Sequence, residues 1–352
     1  MKLLAGIVVL VSVAYYYFVY RQSPIPTTQS PMSVAKIAAN TKPFPAYFFS
    51  HGAPSFLYED DDFGDRGAWK TVKKIGRLIK KWQPDYIIVV LAHWQSTGSN
   101  LVEVNVADAP LAENKLIYDF YGFPKYMYQE EFHSLNAPVI GEQIKAHLEK
   151  NGFNSRLTKR GLDHGAWVPL KVAFSDYNTK TNPQPEEKGL DLPNTAVIQV
   201  SLTANDRDID AHFRLGQVLN HFRTHQVWDE SKNRYARGLI VCLGMTVHNL
   251  RDIGRGFSAP GGVMPYTKPF NRWLTLTLTG SGDKREAITK LQKENPTLLY
   301  NAHPSLEHFL PVVVGAGVAS ENDEPIKELY NNDFSSMGWG IFQFGKDYTD
   351  KA

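Results

Sequence analysis

Three histidines stand at or just beyond runs that read as buried β-strands. His51 closes Ala46–Ser50 (AYFFS), His93 closes Tyr86–Ala92 (YIIVVLA), and His248 follows Leu239–Leu243 after four intervening residues. A fourth, His308, lies shortly after Pro304. In open α/β sheets the ligand crevice lies beyond the carboxyl ends of the strands, so strands ending in imidazoles deliver convergent donors to one rim. A single strand-end histidine usually just bonds to backbone; three at one rim argue for a metal centre. The chain has 352 residues with 11 histidines and 1 cysteine. That excludes thiolate zinc sites, iron–sulfur clusters and internal disulfides, and leaves imidazole and carboxylate as the available metal ligands. There is no H-E-x-x-H motif.

Other residues have chemistry of their own. His164 sits in Gly161-Leu162-Asp163-His164-Gly165, where flanking glycines allow backbone to approach a ligand closely. The plainer reading of that stretch is a helix N-terminus capped by Asp163. Pro304 reads as the first residue of a helix running to Val314. That reading puts His308 inside the helix, about 140° around it from His303, and His303 just before its start. Tyr118-Asp119-Phe120-Tyr121-Gly122-Phe123-Pro124 is an aromatic loop, either a lid over a flat substrate or a packed surface loop. His133, His147, His212, His221 and His225 lie among polar residues and read as surface or structural. No G-x-S-x-G elbow or Walker A loop is present, and Gly280-Ser281-Gly282 joins two predicted helices rather than following a strand.

The elements that must position these side chains alternate between strand and helix. Strands are predicted at Ala46–Ser50, Tyr86–Ala92, Leu101–Val106, Ala196–Leu202, Leu239–Leu243 and Trp339–Phe344. Helices are predicted at Gly67–Lys81, Val139–Asn151, Ile209–Thr224, Lys268–Thr279 and Lys284–Glu294. The first of these would bury Trp69, Val72, Ile75, Leu78 and Ile79 on one face. Asp176–Pro193 reads as a surface insertion, and Thr224–Arg237 as a second. The pattern predicts a single α/β domain, residues 46–347. Its central mixed or parallel sheet is flanked by helices, with the metal site at the carboxyl ends of the strands. Outside it, Leu3–Tyr20 is a run of 18 uncharged residues with tyrosines at one end. Residues 1–21 read as a membrane helix or signal anchor, with a cleaved secretory signal or mitochondrial targeting as alternatives. Residues 22–45 hold five prolines and read as a tether. The 38 basic residues against 36 acidic ones imply no nucleic-acid partner. Nothing in the composition decides the oligomeric state.

Six short motifs taken together resemble the class III extradiol ring-cleavage dioxygenases, in the 4,5-DOPA dioxygenase extradiol branch. They are Ser50-His51-Gly52-Ala53-Pro54, Ala92-His93-Trp94, the loop Tyr118 to Pro124, Gly161 to Trp167, His248-Asn249-Leu250-Arg251, and Glu307-His308-Phe309-Leu310-Pro311. Each is weak alone, but they occur in the family's order from about residue 46 to 345. The resemblance implies one Fe(2+) or Zn(2+) ion held by His51, His93, His248 and His308. It leaves open whether Glu307 replaces His308 and whether His248 is ligand or acid–base group. It places His164 against the substrate, so His164 and His248 are the expected catalytic histidines. It also implies an enzyme that uses O2 to open a catechol beside its diol, giving a muconic semialdehyde. The alternative is a zinc-binding protein of the same fold with a non-redox or non-catalytic role.

Overall fold

The computed structural model describes residues 37–110, 112–183 and 188–348. The expected membrane helix over 1–21 lies outside them, as does the tether up to residue 36. Among the described residues, no helix is long and apolar enough to cross a membrane.

Ten strands make one mixed sheet: β2 (Ala46–Ser50), β3 (Tyr86–Gln95), β4 (Leu101–Asn105), β5 (Ser134–Leu135), β6 (Asn154–Thr158), β7 (Leu192–Leu202), β10 (Gly238–Gly244), β11 (Val247–His248), β12 (Ile326–Phe334) and β13 (Met337–Phe344). The path runs β11-β13-β2-β10-β3-β7-β4-β6. At its centre β2, β10, β3 and β7 are all parallel, while β13 pairs antiparallel with β2. The helices are α1 (Arg66–Trp82), α2 (Pro138–Lys150), α3 (His164–Phe174), α4 (Ile209–Thr224), α5 (Ile253–Ser258), α6 (Thr267–Thr279), α7 (Lys284–Glu294), α8 (Pro296–Ala302) and α9 (Leu310–Ser320).

The unbroken apolar run of β3 has a direct cause. Ile88 and Val90 face one core with α2, α4 and α9, whereas Ile87, Val89 and Leu91 face a second core with α1 and α3. A strand covered on both faces has no polar side, so its sequence does not alternate. Helix α1 begins where the Asp65 carboxylate accepts from the Ala68 N–H at 2.6 Å, and ends at Gln83 in a left-handed conformation (φ 50°) before Pro84. Its inward face matches the expectation except at Leu78, which is 40% exposed.

Three features differ from the sequence reading. Ile37–Ala39, expected in the tether, forms strand β1 and pairs with β8 (His225–Asp229), which pairs in turn with β9 (Arg234–Ala236). The stretch expected as a second insertion is therefore a hairpin, and Ile37–Ala39 pairs with its first strand. The helix expected to begin at Pro304 instead begins at Leu310, with Pro311 in its first turn, so His308 precedes it. Long-range bonds hold Pro304–Phe309 out of helical form: Leu306 N–H donates to Asp206 at 3.2 Å, and the His308 carbonyl accepts from Met245 N–H at 3.0 Å. His93 lies within β3 rather than after it.

Candidate metal centre

The centre forms where β2, β3 and β10 end. His51 N–H donates to the Gly244 carbonyl at 3.0 Å, tying the end of β2 to the end of β10. Gly52 follows with φ +61°, and a Cβ there would lie 2.3 Å from the Trp339 ring. Only glycine allows this turn. The turn brings the Gly52 carbonyl to 2.7 Å from His51 Nδ1. On β3, pairing with β7 is regular to Val90 and resumes only at Gln95. His93 lies in that irregular stretch, where a break in the ladder re-aims a side chain. His308 is carried by the tied segment ahead of α9. That helix lies close on α4, where a Cβ at Gly317 would meet the Phe213 carbonyl at 2.0 Å.

One ring nitrogen from each of His51, His93 and His308 lies within 4.8 Å of the others. Nδ1 faces an acceptor in two of the three rings: the Gly52 carbonyl for His51, and Glu307 Oε1 at 3.0 Å for His308. His93 Nδ1 is buried without a hydrogen-bond partner, with Asp163 Oδ1 at 3.7 Å and Asp119 Oδ2 at 3.8 Å. With the proton on Nδ1, His51 and His308 each keep the Nε2 lone pair. Yet His93 Nε2 lies 3.1 Å from His308 Nε2, and His51 Nε2 is buried with no hydrogen-bond partner. Imidazole nitrogens converging in this way are what a cation relieves. Two nitrogens 3.1 Å apart, each ~2.1 Å from one ion, subtend about 95°, within the range of metal coordination. Burial, reinforced by the neighbouring His164, holds the His93 imidazole down to about 3. Burial, reinforced by adjacent imidazoles, likewise lowers His51 and His308 well below the ordinary range, so all three are neutral donors at neutral pH.

The fourth expected ligand, His248, is not part of this convergence. Its ring stacks on His308 with centroids 3.6 Å apart and planes 15° from parallel. His248 instead groups with Glu307 and His308, one ligand atom of each lying within 4.8 Å of the others. Burial, then the charge of nearby His303, lowers it to about 3. His303, left undecided by the sequence, is fully buried against Phe270 and Phe309, with Nε2 2.9 Å from the Thr246 carbonyl.

His164 is the first residue of α3, and its ring centroid is 4.5 Å from that of His93. Asp163 does not cap this helix with its side chain. Its carboxylate is fully buried, accepting from Arg160 Nη1 at 2.6 Å and from Gln199 Nε2 at 3.3 Å. The cap comes from Asp119, 45 residues earlier, whose Oδ1 accepts from His164 N–H at 2.9 Å and lies 2.8 Å from His164 Nδ1. Burial alone would raise the Asp119 carboxyl, but its bonds to His164 prevail and bring it to about 2. The loop that carries Asp119 packs inward at Phe120, whose ring is 5.6 Å from that of His164, and leaves Tyr121 87% exposed. Neither Asp119 nor Asp163 stands out as a site residue in the sequence. Of the five remaining histidines, His133 pairs with Glu113, and His212 is buried beside Thr203. His147, His221 and His225 stack on one another with centroids 4.2 and 4.4 Å apart.

Residues 45–341 match the family model described as the catalytic LigB subunit of aromatic ring-opening dioxygenase. The chain belongs to this family. It is 31% identical to a 4,5-DOPA dioxygenase extradiol of Beta vulgaris over 302 residues, covering 85% of this chain and 95% of the relative. It is 30% identical to a 4,5-DOPA dioxygenase extradiol-like protein of Schizosaccharomyces pombe, covering 80% of this chain and 87% of that one. The crystal structure of an uncharacterized Escherichia coli K12 protein has the same fold, with a TM-score of 0.60 at 21% identity over 86% of this chain and all of that one. The chain is therefore an enzyme, and enzymes of its family depend on a metal ion.

Proposed function

We propose that this ring-opening dioxygenase cleaves a catechol of the DOPA type beside its diol, using one Fe(II) ion held by His51, His93 and His308. The observation that carries the reading is the convergence of one ring nitrogen from each of His51, His93 and His308, with Nδ1 of His51 and His308 backed by an acceptor. Relatives named 4,5-DOPA dioxygenase extradiol in Beta vulgaris and Escherichia coli support the substrate class.

Ferrous iron in such a cage supplies open coordination positions at which an aromatic diol and O2 react together. The chain's own groups do the rest. His164, with Nδ1 committed to Asp119, has Nε2 free to take a hydroxyl proton from the catechol. His248, neutral and stacked on His308, is the second group able to hold a proton beside the reacting diol. Phe120 walls the His164 side and limits water there. Glu307 and the Gly52 carbonyl keep the imidazoles of His308 and His51 from turning.

The test is anaerobic loading of the purified full chain with Fe(II), followed by a catechol panel in air-saturated buffer. Expected are O2 uptake equal to catechol consumed and a yellow semialdehyde absorbance. No O2 uptake with any catechol by an iron-replete protein refutes the proposal. Three imidazoles are also a zinc donor set, and zinc has no redox chemistry. Zinc alone in protein from its native source, with no turnover after iron exchange, would favour the non-redox reading.

A further inference from the structure

The latch between Asp119 and His164 joins parts of the chain that no local signal connects. One oxygen, Oδ1, accepts both the main-chain N–H at the start of α3 and the Nδ1 proton of the same residue, at 2.9 and 2.8 Å. Two bonds from one residue to one oxygen fix the imidazole's position and rotation together. The other oxygen, Oδ2, points to His93 Nδ1 at 3.8 Å, so the carboxylate sits between the two rings. Asp119 is only 32% exposed, and its loop is held by Phe120 against the rings of His164, Trp167 and Tyr128. Tyr118 Oη also donates to the Glu130 carbonyl at 2.5 Å. The loop is thus packed as a fixed wall.

A neutral imidazole exists as two tautomers of similar energy, and only the one protonated on Nδ1 offers Nε2 as a proton acceptor. We propose that Asp119 is the positioning residue of His164, whose tautomer and orientation it sets so that the Nε2 lone pair faces the substrate. The proposal rests on the reading of His164 as the group that takes the catechol proton. Asp119 acts through His164, which its two bonds hold in place.

Two variants and one spectroscopic measurement test this. In Asp119→Asn the amide oxygen still accepts from the helix N-terminus, so the fold is kept and the charge is lost. In Asp119→Ala the acceptor is lost as well. The expected fall in kcat is about 10-fold for the first and about 10²–10⁴-fold for the second, with metal content at the wild-type level. The 15N shifts of the His164 ring, read in metal-free protein, should show a protonated Nδ1 in the wild type and in Asp119→Asn, and a mixture of tautomers in Asp119→Ala. In a His164→Ala background, Asp119→Asn should cost less than it does alone, because the bond to the imidazole is gone and only the contacts to the helix N-terminus and to His93 remain. The idea is overturned if Asp119→Asn costs as much in that background as alone, if it strips the ion, or if the wild-type His164 ring carries its proton on Nε2. A His164→Ala enzyme with wild-type turnover would instead remove the reading of His164 on which this rests.

Discussion

A single methyl group at Gly165 tests how rigidly the His93 imidazole is held. Gly165 is the second residue of α3, and a Cβ there would stand 2.7 Å from His93 Nδ1 and 3.1 Å from Cγ and Cε1. That is about 0.7 Å inside ordinary contact at 3.4 Å. The ring has nowhere to retreat, since its far nitrogen is 3.1 Å from His308 Nε2 and its centroid is 4.8 Å from that of His51. Replacing glycine by alanine inside a helix contributes about 1 kcal/mol of stability, and overpacking a buried contact costs about 1–3 kcal/mol. The net loss of roughly 0–2 kcal/mol leaves Gly165→Ala folded, with Tm lower by a few degrees. The centre suffers far more, because a displacement approaching 1 Å in a reacting constellation costs about 10²-fold in turnover. The assay is O2 uptake by iron-loaded protein, with ion affinity from competition against a chromophoric chelator and a thermal melt beside it. Gly254→Ala is the control, since nothing lies within 4 Å of its Cβ position. Wild-type ion affinity and turnover in Gly165→Ala would refute the rigid placement of His93.

Four more outcomes are expected. His51→Ala, His93→Ala and His308→Ala should each lose the ion in metal analysis, whereas His164→Ala and His248→Ala should keep it and lose turnover. Glu307→Ala, which leaves His308 Nδ1 without its acceptor, should weaken ion affinity by about 10–100-fold in chelator competition. Chelator-stripped protein should lose stability on acidification. Burial, with nearby positive imidazoles for His93 and His248, holds these two at about 3 and His303 at about 4, all below the unfolded value of ~6.5. Their stability is therefore complete above that value and is lost as pH falls through it toward the folded values; by pH 5.5 the loss is on the order of 1 kcal/mol each, seen as a lower denaturant midpoint. Arg223→Ala should destabilise the fold by about 3–5 kcal/mol in chemical denaturation, because it strands the partly buried Glu324 carboxylate and releases the Phe44 carbonyl next to β2.

Much of the scaffold was legible in the residues. The apolar runs of β3 and β10 are dictated by burial on both faces, and the Pro and Gly punctuation around α1 and α2 marks their ends. His51 and His93 could be read because each follows directly on an apolar run, close in sequence to the strand that carries it. The start of α9 could not, because Pro304 and Pro311 both suit the first turn of a helix. The choice between them was made by Asp206 and Met245, remote in sequence. The stack of His248 on His308 depends on a ring rotation that residue spacing does not encode. Asp119 stayed hidden inside an aromatic loop for the same reason, since its partner is 45 residues away.

The one cysteine gives the molecule an internal clock. Cys242 is fully buried in the middle of β10, opposite Phe48 of β2 and Val90 of β3, and burial pushes its thiol well above the ordinary range. Its side chain lies in the core covered by α4 and α9, so an alkylating reagent reaches it only when that cover lifts or the whole fold opens. Helix α9 follows directly on the segment that carries His308, so lifting it to expose the sulfur also displaces one of the proposed ligands. Pulse labelling of a single thiol would then time, in the unaltered chain, the moment at which the centre comes undone.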